Sequence, residues 1–247
     1  MSLMALICTG AKTDCFLERN SLNASGPKNQ FVFRGMLMTL RRYYLDQKLS
    51  SFPFTGKVLD VGGNRKRRGT FRIPYADVER WDLVNIDPTV EPDYCCSAEA
   101  IPVDTCSYDY VVLTEVLEHL EHPECVLKEC FRVLKQDGTI LVSMPFLFPV
   151  HADPYDYQRW TADKLYLTLR NCGFSNILVE PMGNLIAVMH DLLHVALISS
   201  SCNTRSLSNR VLKRLLLPPL FWIGQRKKGI DYRKQVITTG WFVTASK

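Results

Sequence analysis

Apolar residues along the chain keep two spacings. Between residues 29 and 50, Phe31, Met36, Leu37, Leu40, Tyr43, Tyr44 and Leu45 recur at roughly helical intervals and predict an amphipathic helix. Beyond it, short apolar runs bounded by polar turns predict strands. They are residues 57–61 (KVLDV), 81–86 (WDLVNI), 108–113 (YDYVVL), 139–144 (TILVSM) and 175–179. Helical patterns fall between them at residues 125–134, with Pro123 suited to a first turn, and at 161–171, ended by Gly173. Gln136-Asp137-Gly138 reads as a turn. Alternating strands and helices predict a doubly wound α/β domain, its parallel sheet covered on both faces.

The rhythm breaks at residues 184–230. Two apolar stretches, 185–198 and 211–223, flank a polar loop, and Pro218-Pro219 would break any single spanning helix through the second. Residues 236–245 (VITTGWFVTA) close the chain as a strand, which can form an antiparallel edge hairpin with the strand before the insertion. Residues 1–28, ending in Gly26-Pro27-Lys28, read as a loosely ordered leader, and residues 29–247 as one domain.

Composition narrows the classes. At 247 residues, 47% hydrophobic and 22% charged, the chain suits one well-buried globular domain. A net charge of +5 is too small to indicate nucleic acid by itself, but favours an anionic substrate or surface. Nine cysteines without a CxxC pair argue against a disulfide framework and for a reducing compartment. The first residues make a poor signal peptide, and no run of about 20 apolar residues occurs. The expected location is cytoplasmic, with a possible peripheral contact at a membrane through 184–230, where Arg210, Lys213, Arg214, Arg226, Lys227 and Lys228 flank apolar residues. The other readings of that insertion are a substrate lid and a dimer face.

The chemistry concentrates at strand ends. The first strand runs into Gly62-Gly63-Asn64, and Asp87 closes the second. Glycine lets a backbone approach a ligand closely, and a carboxylate there can accept hydrogen bonds from ribose hydroxyls. A dinucleotide fingerprint needs a third glycine facing the pyrophosphate, and none comes before Gly69. That disfavours a nicotinamide-dependent oxidoreductase and suits a nucleoside ligand without phosphate. Arg65 to Arg68 form a basic run that can attract a phosphate or remain a solvated loop.

Taken together, VLDVGGN, NIDP, AEAIPVDTCSYDYVVLTEVLEHLEHPE and FRVLKQDGTILVSMPF resemble the ubiquinone-biosynthesis-like (methyltransferase type 11) branch of class I S-adenosylmethionine-dependent methyltransferases. The resemblance covers about residues 55–180. It implies a seven-stranded Rossmann-like sheet with an antiparallel last strand, the helical insertion preceding that strand. It implies S-adenosyl-L-methionine as cofactor. Asp60, Gly62 and Gly63 would then border its methionine and ribose, Asp87 would bind the ribose hydroxyls, Ser97 and Ala98 would border the adenine, and Glu115 would lie near the amino-acid part. Asn64 and Ser97 depart from the common pattern, which keeps a catalytically silent binding module as an alternative. After the fifth strand, HADPYDYQRWT is similar to a segment of methyltransferases associated with sugar or lipid-linked glycan synthesis.

Methyl transfer asks for alignment, exclusion of water and sometimes removal of a proton. His151 is the candidate base and Arg159 the candidate anion contact, with Asp156 and Tyr157 placed to position a hydroxyl; the alternative is a structural loop in which Asp156 caps or pairs with Arg159 and His151 bonds backbone. The expected acceptor is a hydroxyl or amine of a small or lipid- or glycan-linked molecule. The N/D-P-P-Y/F tetrapeptide of nucleic-acid N-methylating enzymes is absent; Thr114-Glu115-Val116-Leu117 stands in its place. His119-x-x-His122-x-x-Cys125 and His190-x-x-x-His194 have metal-like spacing but lack further ligands in sequence, so no metal is expected.

Overall fold

The computed structural model describes residues 38–65, 69–151, 154–199, 207–225 and 237–247. The predicted leader, the first residues of the predicted first helix, and Lys66, Arg67 and Arg68 lie outside the described residues.

The elements run α1 (Leu40–Ser50), β1 (Gly56–Val61), β2 (Val78–Asn85), β3 (Tyr94–Cys95), β4 (Tyr108–Thr114), α2 (Pro123–Val133), β5 (Leu134–Pro145), α3 (Ala162–Asn171), β6 (Ser175–Met182), α4 (Leu185–Ser199), α5 (Leu207–Gly224) and β7 (Gly240–Ser246). The sheet has seven strands in the order β3-β2-β1-β4-β5-β7-β6. Pairing is parallel from β3 to β5, and β7 runs antiparallel to both β5 and β6. A dinucleotide fold has its sixth strand directly beside the fifth in the order 3-2-1-4-5-6. The antiparallel β7 wedged between β5 and β6 sets this sheet apart, as the family resemblance implies.

Side-chain alternation divides the core. Leu59, Val111, Leu113, Ile140 and Val142 face α2 and α3, where Val126, Leu127, Cys130, Val133, Leu165 and Leu169 are fully buried. Val58, Trp81, Val112 and Leu141 face the other way, with Leu45 and Leu49 of α1. Each fully buried leucine contributes about 1.5–3 kcal/mol, so both faces are needed to hold the sheet.

One expectation gives way to the tertiary context. Residues 136–138 do not end an element. They form a bulge inside β5, where pairing jumps from Tyr108–Leu134 to Tyr110–Thr139 and Asp137 takes φ +63°. The strand resumes because both flanks pair with β4, and Lys135 ties the bulge to Asp109 at 2.9 Å. Pro218 and Pro219 do not break α5, which runs through them. The carbonyls they leave without intrahelical donors belong to Arg214 and Leu215, both exposed, so water can satisfy them.

The insertion folds back onto α1. Asp191 of α4 is fully buried and accepts from the backbone N–H of Leu40 at 2.6 Å and of Arg41 at 2.9 Å. It thereby caps α1 from another element, alongside Thr39, whose hydroxyl accepts from Arg42 N–H at 3.2 Å.

Candidate active site

The crevice lies beyond the carboxyl ends of β1, β2, β4 and β5, where the chain winds outward in both directions from β1. Gly62 takes φ +74°, and a Cβ there would stand 2.5 Å from Val116 Cγ2. A Cβ on Gly63 would stand 2.4 Å from Asp60 Oδ1. The turn therefore requires both glycines, one for its backbone angle and one for space. Asp60 is buried beneath the turn and accepts from Trp81 Nε1 at 3.1 Å, so its carboxylate braces the turn from within. Asn85 adds a second brace, donating to Gly63 O at 3.0 Å.

Asp87, at the end of β2, is exposed. Its Oδ1 accepts from Thr89 N–H at 2.9 Å and Thr89 Oγ1 at 2.7 Å, and these bonds hold its pKa below the usual carboxylate value. Next to it in sequence, Ile86 is 69% exposed. Ser97 is exposed and accepts from Glu99 N–H at 3.2 Å, while Ala98 packs against the core edge. A backbone cradle closed to any Cβ, an anionic carboxylate and exposed apolar surface fit an adenosyl ligand: close backbone approach, hydroxyl acceptors and a stacking face.

Glu115 has φ +58° and faces a ceiling set by α1. Its Oε1 accepts from Ser143 Oγ at 2.8 Å, and its Oε2 pairs with Arg41. Arg41 is buried and stacks over Phe148 at 4.0 Å. Burial pushes its guanidinium down to about 10, against the pull of Glu118 and Asp191, and it stays charged at neutral pH. Nothing local in the sequence marks Arg41, which acts on the crevice from a separate element.

The segment after β5 forms the opposite wall. Its expected residues come together, largely with one another. Asp156 holds both terminal nitrogens of Arg159 and accepts from His151 N–H at 2.9 Å. The Arg159 pair lowers the Asp156 carboxyl to about 2. Arg159 thus faces an internal anion, and an acceptor's anion would have to share it. Tyr157 is half exposed and donates its backbone N–H to Glu118 O at 2.8 Å. Gln158 donates to Leu117 O and Leu120 O at 3.0 and 2.9 Å, fastening this wall to the turn after β4. Burial depresses the His151 imidazole, which is therefore neutral at pH 7. Arg65 pairs with Asp93 rather than facing the crevice as part of a basic run.

The metal-like spacings resolve differently from their sequence order. His122 and Cys125 are exposed on α2 and its approach, whereas His119 turns toward His151, ring centroids 5.3 Å apart. His190 pairs with Asp191 at 2.8 Å and stacks on His194 under α5.

Residues 76–142 match the family described as Methyltransferase domain. The chain is 27% identical over 121 residues to 2-methoxy-6-polyprenyl-1,4-benzoquinol methylase, mitochondrial, of Caenorhabditis elegans, a match spanning 49% of this chain and 36% of that enzyme. Among solved structures, the [4+2]-cyclase SpnF superposes with a TM-score of 0.54 at 18% identity, covering 84% of this chain and 81% of that one. A Thermotoga maritima S-adenosylmethionine-dependent methyltransferase, described as a possible histamine N-methyltransferase, gives 0.50 at 13% identity, covering 89% and 95%. The structures establish the fold, and the sequence matches cover a methyltransferase-domain stretch and about a third of that enzyme's length. With its antiparallel β7 and its match through β2, β4 and β5, the chain is similar to class I S-adenosylmethionine-dependent methyltransferases in fold and, over residues 76–142, in sequence.

Proposed function

We propose that this chain transfers a methyl group to a hydroxyl or amine of a small or lipid- or glycan-linked acceptor. The observation that carries this reading is the facing of two walls. One holds the Gly62-Gly63 turn, Asp87, Ser97, Ala98 and Glu115; the other holds a neutral, part-exposed His151. The cofactor supplies an electrophilic sulfonium methyl. The Gly62-Gly63 turn admits it, Asp87 accepts from its ribose hydroxyls, Ser97 and Ala98 border its adenine, and Glu115, held by Arg41 and Ser143, lies by its amino-acid end. His151 takes the proton of the acceptor as the new bond to carbon forms and the sulfur–carbon bond breaks. Arg159 and Tyr157 position the acceptor. Calorimetry tests the cofactor half: S-adenosylhomocysteine is expected to bind and NADH not to. Binding of NADH alone would overturn it.

A second reading, a binding module without catalysis, is favoured by the pairing of Glu115 with Arg41 and of Arg159 with Asp156, which leaves fewer groups facing a substrate. It predicts S-adenosylhomocysteine binding without turnover of any acceptor.

The same proposal gives α4 and α5 the task of meeting a lipid surface. Leu215, Leu216, Trp222 and Ile223 are exposed, and basic residues flank this stretch in sequence. Among the described residues no helix is long and apolar enough to cross a membrane. Flotation with anionic vesicles is expected to carry the chain and to carry a Leu215→Ser, Trp222→Ser variant less. A chain that stays at the bottom of the gradient refutes this part.

A further inference from the structure

Glu118 sits in the turn after β4 with its carboxylate fully buried, and neither oxygen has a hydrogen-bond partner. Its two nearest arginines are engaged elsewhere, Arg41 with Glu115 and Arg159 with Asp156. What faces Glu118 Oε1 is a pair of imidazole nitrogens: His119 Nε2 at 3.7 Å and His151 Nε2 at 3.9 Å.

The tautomers follow from the other ring nitrogens. His119 Nδ1 lies 2.5 Å from Tyr155 O, and His151 Nδ1 lies 3.1 Å from Pro149 O. A carbonyl can only accept, so each Nδ1 is placed to donate its hydrogen there, the shorter contact at His151 outweighing Arg159 Nη2 at 3.5 Å, and each Nε2 is then the nitrogen left to ligate. Two imidazole Nε2 atoms and a carboxylate thus converge. Carbonyls that orient histidines through the far nitrogen are the usual support of a metal site. The three donor atoms lie within 4.8 Å of one another. A tetrahedral cation about 2.1 Å from each ligand separates them by about 3.4 Å, so the two carboxylate–imidazole sides would close by a few tenths of an ångström and the imidazole–imidazole side, within 4.8 Å, by up to about 1.4 Å.

We propose that Glu118, His119 and His151 bind one first-row divalent cation on the acceptor side of the crevice. Two neutral imidazoles and one carboxylate suit Zn²⁺, Fe²⁺, Mn²⁺ or Co²⁺ better than an all-oxygen cation such as Ca²⁺. The site is partly open, because the His151 side chain is 35% exposed, and an oxygen of the acceptor can take a remaining position. Resting on the methyltransferase reading, this narrows the acceptor to a hydroxyl. The cation draws off the hydroxyl proton to solvent, the oxygen–methyl bond forms, and the sulfur–carbon bond breaks with its electron pair left on sulfur. His151 then serves as a ligand instead of a base. The competing occupant is a proton. Burial raises the proton affinity of Glu118 and lowers that of His151.

The test is a Co²⁺ titration of the chelator-stripped full chain, followed by visible absorption. The expected result is d–d bands that saturate at one ion per chain. The near-ultraviolet thiolate-to-cobalt band should be absent, which separates this site from the nine cysteines. His151→Ala and Glu118→Gln are each expected to weaken binding at least about tenfold, while His122→Ala, an exposed histidine outside the cluster, leaves it unchanged. S-adenosylhomocysteine calorimetry on the same samples reports folding and the cofactor site. Retained S-adenosylhomocysteine binding with no cobalt bands, with a thiolate band, or with bands that survive both ligand substitutions overturns the cation site. Cobalt binding without S-adenosylhomocysteine binding overturns the methyltransferase reading and leaves the cation site standing.

Discussion

Replacing Asp87 with alanine is expected to weaken S-adenosylhomocysteine binding roughly ten- to hundred-fold, the usual consequence of losing charge-assisted hydrogen bonds to a ligand. The carboxylate stands exposed at the end of β2, and its low pKa keeps it anionic throughout the neutral range. It also closes the short turn at Pro88–Val90 by accepting from Thr89 N–H. Alanine removes both functions, and asparagine separates them. Asp87→Asn keeps an acceptor for Thr89 and loses the charge, so its binding should fall with no change in melting temperature. Calorimetry of both variants checks this. Wild-type affinity in both would remove Asp87 from the ribose site.

Asp191→Ala is expected to cost about 3–5 kcal/mol of folding stability, because it strips a buried, hydrogen-bonded carboxylate from its partners. The carboxylate satisfies the Leu40 and Arg41 amides and pairs with His190 inside the protein. Asn in its place keeps one acceptor oxygen and should lose less. The effect should reach the crevice as well. Arg41 follows Leu40 on α1, and α1 places it against Glu115 and Phe148. Loosening the amino terminus of α1 should therefore reduce S-adenosylhomocysteine affinity at a site Asp191 does not touch. Denaturant unfolding with paired calorimetry measures both quantities. A stability loss below about 1 kcal/mol would mean that the α1–α4 joint does not hold the domain together.

The crevice residues differ in how legible they are in sequence, for a physical reason. Gly62, Gly63, Asp87, Ser97, Ala98 and Glu115 all sit within a few residues of a strand end. A strand's carboxyl end faces the crevice by topology, so position along the chain already places them. A glutamate beside a histidine in a polar turn, such as Glu118, reads in sequence as solvated surface. Only the return of the segment 154–160 over that turn buries it, with Gln158 and Tyr157 bonding the backbone of residues 117–120. His119 was matched by spacing with His122 and Cys125, yet its neighbour in space is His151, 32 positions away.

The sequence by itself determined the strand and helix alternation, the doubly wound class, the glycine turn and the carboxylate after β2. These depend on hydrophobic period and on residues adjacent along the chain. Only the tertiary structure decided that residues 136–138 bulge inside β5, that α5 continues through two prolines, that Asp191 caps α1, and that Arg159 is held by Asp156. Each of these turns on a partner far away in sequence, or on whether a carbonyl meets water, and neither is encoded in local pattern.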